Sequence, residues 1–112
     1  AMIESAEALA NLSEILSVEG LDGVYVGPVD LSISMGLPEL GNLDDPQLRQ
    51  AVGQILAATN KHNLVAGVHA SSPTEAALLS EWGFRLVTPV NDSKMLRLAA
   101  AETLKQTRNV IK

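Results

Sequence analysis

Two short stretches place a carboxylate where an apolar run stops and a turn or helix begins: Met2-Ile3-Glu4-Ser5 and Gly27-Pro28-Val29-Asp30-Leu31-Ser32. In α/β proteins that position is the carboxyl end of a strand, where the chemistry sits. Parallel neighbours lie about 4.8 Å apart, so Glu4 and Asp30, standing on adjacent strands, can converge on one cation. A hard divalent ion such as Mg²⁺ or Mn²⁺ takes one or two carboxylates and leaves its other positions to water and substrate oxygens. The same two acids also suit helix caps and first turns. Gly27-Pro28 combines a small residue with a rigid turn, which lets backbone approach a ligand and lets the amides after Pro28 point at an anionic group. A strand-ending turn accounts for the same dipeptide.

Other candidates have plainer explanations. His69 ends an apolar run and could serve as base or ligand on the rim, but it has no evident partner in the sequence. His62 falls at a helix C-terminus, where the dipole favours it. Asp92 reads as a cap of the last helix and is the spare candidate for a third acidic group. Ser32, Ser71 and Ser72 are cap and turn residues, and no Gly-x-Ser-x-Gly elbow makes one a nucleophile. Walker, dinucleotide-binding and His-Glu-x-x-His motifs are absent from the sequence.

The elements that must position these residues follow from apolar spacing. Met2-Ile3 reads as the end of a strand already under way. Ser5 caps a helix carrying Ala6, Ala8, Leu9, Leu12, Ile15 and Leu16, which Gly20 ends. Val24 to Val26 is a buried strand stopped by Gly27-Pro28. Residues 31 to 43 hold Gly36, Pro38 and Gly41 and predict a helical turn and a loop. Asp45-Pro46 opens a helix with Leu48, Ala51, Val52, Ile55, Leu56 and Thr59 facing inward. Leu64 to Val68 is a third strand, and Ser72-Pro73-Thr74-Glu75 is a capping box opening a helix to about Trp82-Gly83. Phe84 to Thr88 makes a fourth strand. A final helix from about Ser93 carries Met95, Leu96, Ala99, Ala100 and Leu104. Four strand-helix units with continuously apolar strands predict an α/β domain of parallel strands covered by helices. A complete (β/α)8 barrel needs about 250 residues, so 112 residues is roughly half of one.

Composition narrows the partners. Thirteen acidic against eight basic residues give a net charge of −5, with no basic cluster for a phosphate backbone. Only three aromatic residues are present, Tyr25, Trp82 and Phe84, too few for a base-stacking platform. Nucleic-acid and membrane partners are therefore not expected. The absence of cysteine removes disulfides and thiolate chemistry. No apolar run spans a bilayer and no signal-peptide layout opens the chain, so cytoplasm is the expected location.

Met2-Ile3-Glu4-Ser5, Ala8 to Leu12, Glu14-Ile15, Val18 to Val24 and Gly27-Pro28-Val29-Asp30-Leu31-Ser32, continuing through Ser34, Gly36 and Pro38, closely resemble the HpcH/HpaI family of metal-dependent 2-keto acid aldolases. Similarity extends more loosely through Gly67 and the Gly83–Asp92 segment, over essentially the whole chain. The resemblance implies a (β/α)8 barrel of the phosphoenolpyruvate/pyruvate-binding type, of which residues 1 to 112 form a single C-terminal half-barrel domain, units five to eight. It implies that Glu4 and Asp30 hold a divalent cation, Mg²⁺ or Mn²⁺, chelated by pyruvate or by the pyruvyl end of a hydroxy-keto acid. The metal then stabilises the enolate as a Lewis acid. It further implies that backbone amides at Val29 and Asp30 bind the substrate carboxylate, with Gly27, Pro28 and Met2 beside it. Met2 stands where family members often carry Gln, and Val29 where Ala is common. The family's His base, its supporting Asp and its Arg belong to the first four units, so no catalytic residue is expected within this chain. Alternative functions are an acyl-CoA lyase of the citrate lyase β-subunit type and a non-catalytic self-associating fragment. A half-barrel exposes strand edges and an apolar inner face, which predicts a homo-oligomer. The family separately implies that the final helix packs on a neighbouring subunit.

Overall fold

Four parallel strands in sequential order make the sheet of the computed structural model, which describes residues 1–111. They are β1 (Met2–Ile3), β2 (Gly23–Val26), β3 (Val65–His69) and β4 (Leu86–Thr88), paired so that Ile3 stands beside Val26, Val26 beside Val68 and Val68 beside Val87. Ile3, Val24, Val26, Ala66 and Val68 project to one face and are buried. Their neighbours along the strands, Met2, Val65 and Leu86, are exposed. Helices therefore cover one face of the sheet, whereas a doubly wound sheet would carry them on both. The strands are parallel, as their apolar runs predict, yet their burial alternates because the second face is open.

The cover is dominated by α4 (Pro46–Lys61), which packs against β2, β3, α2 (Leu12–Leu16) and α3 (Pro28–Ser34). Its inward stripe, Leu48, Ala51, Val52, Ile55, Leu56 and Thr59, is buried in full. Fully burying a large aliphatic side chain stabilises by about 1.5–3 kcal/mol, so this helix holds much of the core together. Asp45 caps it by accepting from the amides of Gln47 and Leu48 at 2.8 and 3.2 Å. The buried hydroxyl of Thr59 is satisfied by the Ile55 carbonyl at 2.7 Å.

Four elements differ from the sequence expectation: α3 already begins at Pro28, ahead of the helical turn expected within residues 31 to 43, and three others are recast. The first helix is broken into α1 (Ala6–Ala10) and α2 at Asn11, whose amide is shared between the carbonyls of Glu7 and Leu9, and α2 stops at Leu16, short of Gly20. The fourth strand starts at Leu86. Phe84 is held back because Gly83, in the left-handed conformation at φ 115°, closes α5 (Pro73–Trp82), and the Phe84 amide donates to the Leu79 carbonyl. The last helix, α6 (Asp92–Val110), is capped by Asn91, so Asp92 is a first-turn acid. None of the residues of α6 is buried. No helix among the described residues is long and apolar enough to cross a membrane.

Candidate metal and substrate site

Glu4 follows β1 directly, and Asp30 lies in the first turn of α3, just past the end of β2. The two strand ends are side by side because the Gly27 amide donates to the Ile3 carbonyl at 3.3 Å, extending the ladder by one step. Gly27 is what leaves room between the acids. A Cβ built on it would lie 3.0 Å from Glu4 Oε2, 3.3 Å from Glu4 Cβ and 3.6 Å from Asp30 Oδ2. Both carboxylates thus border one small space that any larger residue would fill. An all-oxygen pair of this kind suits a hard divalent cation. Among the described residues no group of three or more His, Cys, Asp or Glu is arranged to hold a metal. A cation here would take its remaining oxygens from water and substrate. Asp92 supplies no third acid to the cleft beside this pair: Asn91 lines that cleft and Asp92 does not, its Oδ1 instead accepting from the Ser93 amide at 2.7 Å.

A cleft of about 360 Å³ opens beside this pair, with Met2, Gly27, Pro28, Val29 and Asp30 on one side and Tyr25, His69 and Asn91 completing it. The fold brings together every residue that the sequence proposed for substrate contact. Pro28 occupies the first helical position of α3 and has no amide hydrogen, and the first i−4 bond of the helix runs from the Leu31 amide to the Gly27 carbonyl at 2.9 Å. The amides of Val29 and Asp30 therefore have no acceptor within the helix and are free to meet an anion. Buried Ser32 fixes this turn: its hydroxyl donates to the Val29 carbonyl at 2.6 Å and accepts from the Gly41 amide at 2.9 Å. Ser34 ties α3 to the start of α1 by accepting from the Ala6 amide at 2.9 Å.

His69 gains a partner invisible in the sequence. The Tyr25 hydroxyl lies 3.2 Å from His69 Nδ1. Tyr25 pairs with Gly67, two residues before His69, so both side chains stand on the open face of the sheet. A Cβ at Gly67 would come within 2.8 Å of Tyr25 Cδ2; the glycine is what lets the ring cross β3. A glycine inside an apolar strand was the available signal. His62 plays no part here: it ends α4, with Nδ1 2.9 Å from the Ala58 carbonyl.

A family model for the HpcH/HpaI aldolase/citrate lyase family matches residues 1–99. A hydroxypyruvate/pyruvate aldolase from Rhizorhabdus wittichii is 35% identical over 108 residues, covering 96% of this chain and 43% of the relative. A 5-keto-4-deoxy-D-glucarate aldolase from Klebsiella pneumoniae is 36% identical over 97 residues, covering 87% of this chain and 37% of the relative. Among solved structures, an HpcH/HpaI aldolase/citrate lyase family protein from Burkholderia cenocepacia superposes with a TM-score of 0.84 at 31% identity, over 96% of this chain and 41% of that one. The chain spans about two fifths of the length of the curated relatives it matches.

Proposed function

The chain belongs to the HpcH/HpaI aldolase/citrate lyase family, and from that premise we propose that it is the metal-binding half of a pyruvate-dependent aldolase acting on 4-hydroxy-2-keto acids. The observation that carries this reading is the shared space at Gly27, bordered by Glu4 and Asp30 at adjoining strand ends. Mg²⁺ or Mn²⁺ bound there would supply Lewis-acid stabilisation of charge on the keto oxygen. The amides of Val29 and Asp30 hold the substrate carboxylate, and Pro28, Val29 and Met2 wall the pyruvyl carbon chain. Met2 offers only a thioether, so it contributes packing and no hydrogen bond of ordinary strength.

In the cleavage direction the 4-hydroxyl gives up its proton, the C3–C4 bond breaks to release an aldehyde, and C3 takes a proton to give pyruvate. The base and the Arg for these steps belong, on this proposal, to four further βα units that complete a (β/α)8 barrel. Those units would also cover the open face of the sheet. Two facts support this division: the chain's two-fifths coverage of its relatives and the one-sided helix cover.

The test is to incubate the chain with Mg²⁺ or Mn²⁺ and a 4-hydroxy-2-keto acid and assay pyruvate. Almost no release is expected from the chain alone. Strong turnover that survives loss of both His62 and His69 would overturn the placement of the base.

A further inference from the structure

Glu4 and Asp30 belong to different segments, so their separation depends on what holds α3 against the start of α1. The join between β2 and α3 is Gly27, which has no side chain to set the angle at which the helix leaves the strand. Two serines of α3 supply that setting. Residues 32 and 34 are about 200° apart around a helix, so they grip it from opposed sides. Ser32, fully buried, donates to the Val29 carbonyl at 2.6 Å and accepts from the Gly41 amide at 2.9 Å. That seats the loop after α3 on the peptide group that leads into Asp30. Gly41, at φ 66°, comes so close that a Cβ on it would meet Val29 Cγ2 at 2.8 Å. Ser34 is exposed and lies one turn after Asp30, on the same face of the helix. Its hydroxyl accepts from the Ala6 amide at 2.9 Å, one of the first-turn amides that α1 itself leaves without an acceptor. Ala6 follows Glu4 closely in the chain, so this bond ties the segment of one acid to the helix of the other.

We infer that Ser32 and Ser34 are positioning residues of the cation site, and that by fixing the separation of Glu4 and Asp30 they select a small divalent ion over a large one. The inference rests on the proposed metal pair. Both serines act through the backbone, and neither touches the ion. Mg²⁺ demands near-octahedral oxygens at about 2.0–2.1 Å, whereas Ca²⁺ accepts about 2.3–2.6 Å in a looser array. A braced pair of carboxylates therefore favours the small ion, and a pair free to swing apart loses that preference.

Mn²⁺ binding to the chain, followed by electron paramagnetic resonance, and its displacement by Mg²⁺ and by Ca²⁺ give all three affinities. The unaltered chain should prefer Mg²⁺ to Ca²⁺. Ser34→Ala, at an exposed position, should keep the circular dichroism spectrum, lose about tenfold in Mn²⁺ affinity and lower the Mg²⁺/Ca²⁺ ratio. Ser34→Thr, which keeps the acceptor, should restore both. Ser32→Ala should act in the same direction. Ser80→Ala, which removes a hydroxyl bonded within α5, should change neither. Unaltered Mn²⁺ affinity and ratio in Ser34→Ala overturn the bracing role and leave the metal site standing. A loss of affinity at constant ratio overturns the selection by ion size. No Mn²⁺ binding by the unaltered chain overturns the metal site and the bracing with it.

Discussion

At the scale of the residue, the decisive position is Gly27, because it is the absence of a side chain that lets two carboxylates share a space. Gly27→Ala would put a methyl 3.0 Å from Glu4 Oε2 and 3.3 Å from Glu4 Cβ, closer than an unshifted Glu4 allows. Glu4 must give way by a few tenths of an ångström, and disturbing the surroundings of a metal-ligating carboxylate, the role proposed for Glu4, costs about 10–100-fold in affinity. Mn²⁺ titration followed by electron paramagnetic resonance should show that loss in Gly27→Ala while circular dichroism stays unchanged. Unaltered Mn²⁺ affinity would mean that the cation does not sit between Glu4 and Asp30. Glu4→Gln and Asp30→Asn should each weaken Mn²⁺ binding further, since each removes one of two protein charges. The acids and the glycine were legible in the sequence as residues at strand ends. The Tyr25 to His69 contact was not, because it depends on the register that sets Tyr25 beside Gly67, and register is a property of two strands together.

Among the elements, α4 was the most legible, since its apolar residues repeat at helical spacing behind an Asp-Pro start and each of them is buried. What escaped were the places where local hydrogen bonds override periodicity. Asn11 splits a helix whose apolar pattern runs straight through it, and Phe84, apolar enough for a strand, is captured by the turn that closes α5. Because α4 contacts β2, β3, α2 and α3, its core positions should dominate stability. Ile55 is fully buried, and Ile55→Ala should cost about 2–5 kcal/mol. Asp45→Ala, which removes a cap and leaves packing intact, should cost about 1 kcal/mol. Urea unfolding monitored by circular dichroism gives both values; an Ile55→Ala loss no larger than that of Asp45→Ala would show that the sheet does not depend on this helix. The Arg49 guanidinium, 4.9 Å from the centre of the Trp82 ring, links α4 to α5 on the outside and is worth far less, about 0.5–1 kcal/mol.

For the whole molecule, shape argues that the chain does not act alone. Its radius of gyration is 17.0 Å, whereas a compact domain of this length has about 13 Å. The excess comes from α6, nineteen residues long with none buried, which stretches the longest dimension to 62 Å. Two apolar surfaces are left without cover: the open face of the sheet with Met2, Val65 and Leu86, and α6 with Met95, Leu98 and Leu104. Exposed apolar patches of this kind mark association sites, and an uncapped parallel sheet adds unpaired edges. The chain should therefore self-associate, and size exclusion with light scattering across a concentration series should show it. The two surfaces can be separated by charge. Leu86→Lys places an ammonium in the middle of the open face, beside Gly67, and Leu104→Lys places one on α6. If copies close over the sheet, Leu86→Lys should shift the population to smaller species while Leu104→Lys leaves it largely in place; the reverse pattern assigns association to α6. A folded monomer at high concentration would defeat both, because it would mean that water, and no other protein surface, is the resting neighbour of the face on which Glu4, Tyr25 and His69 stand.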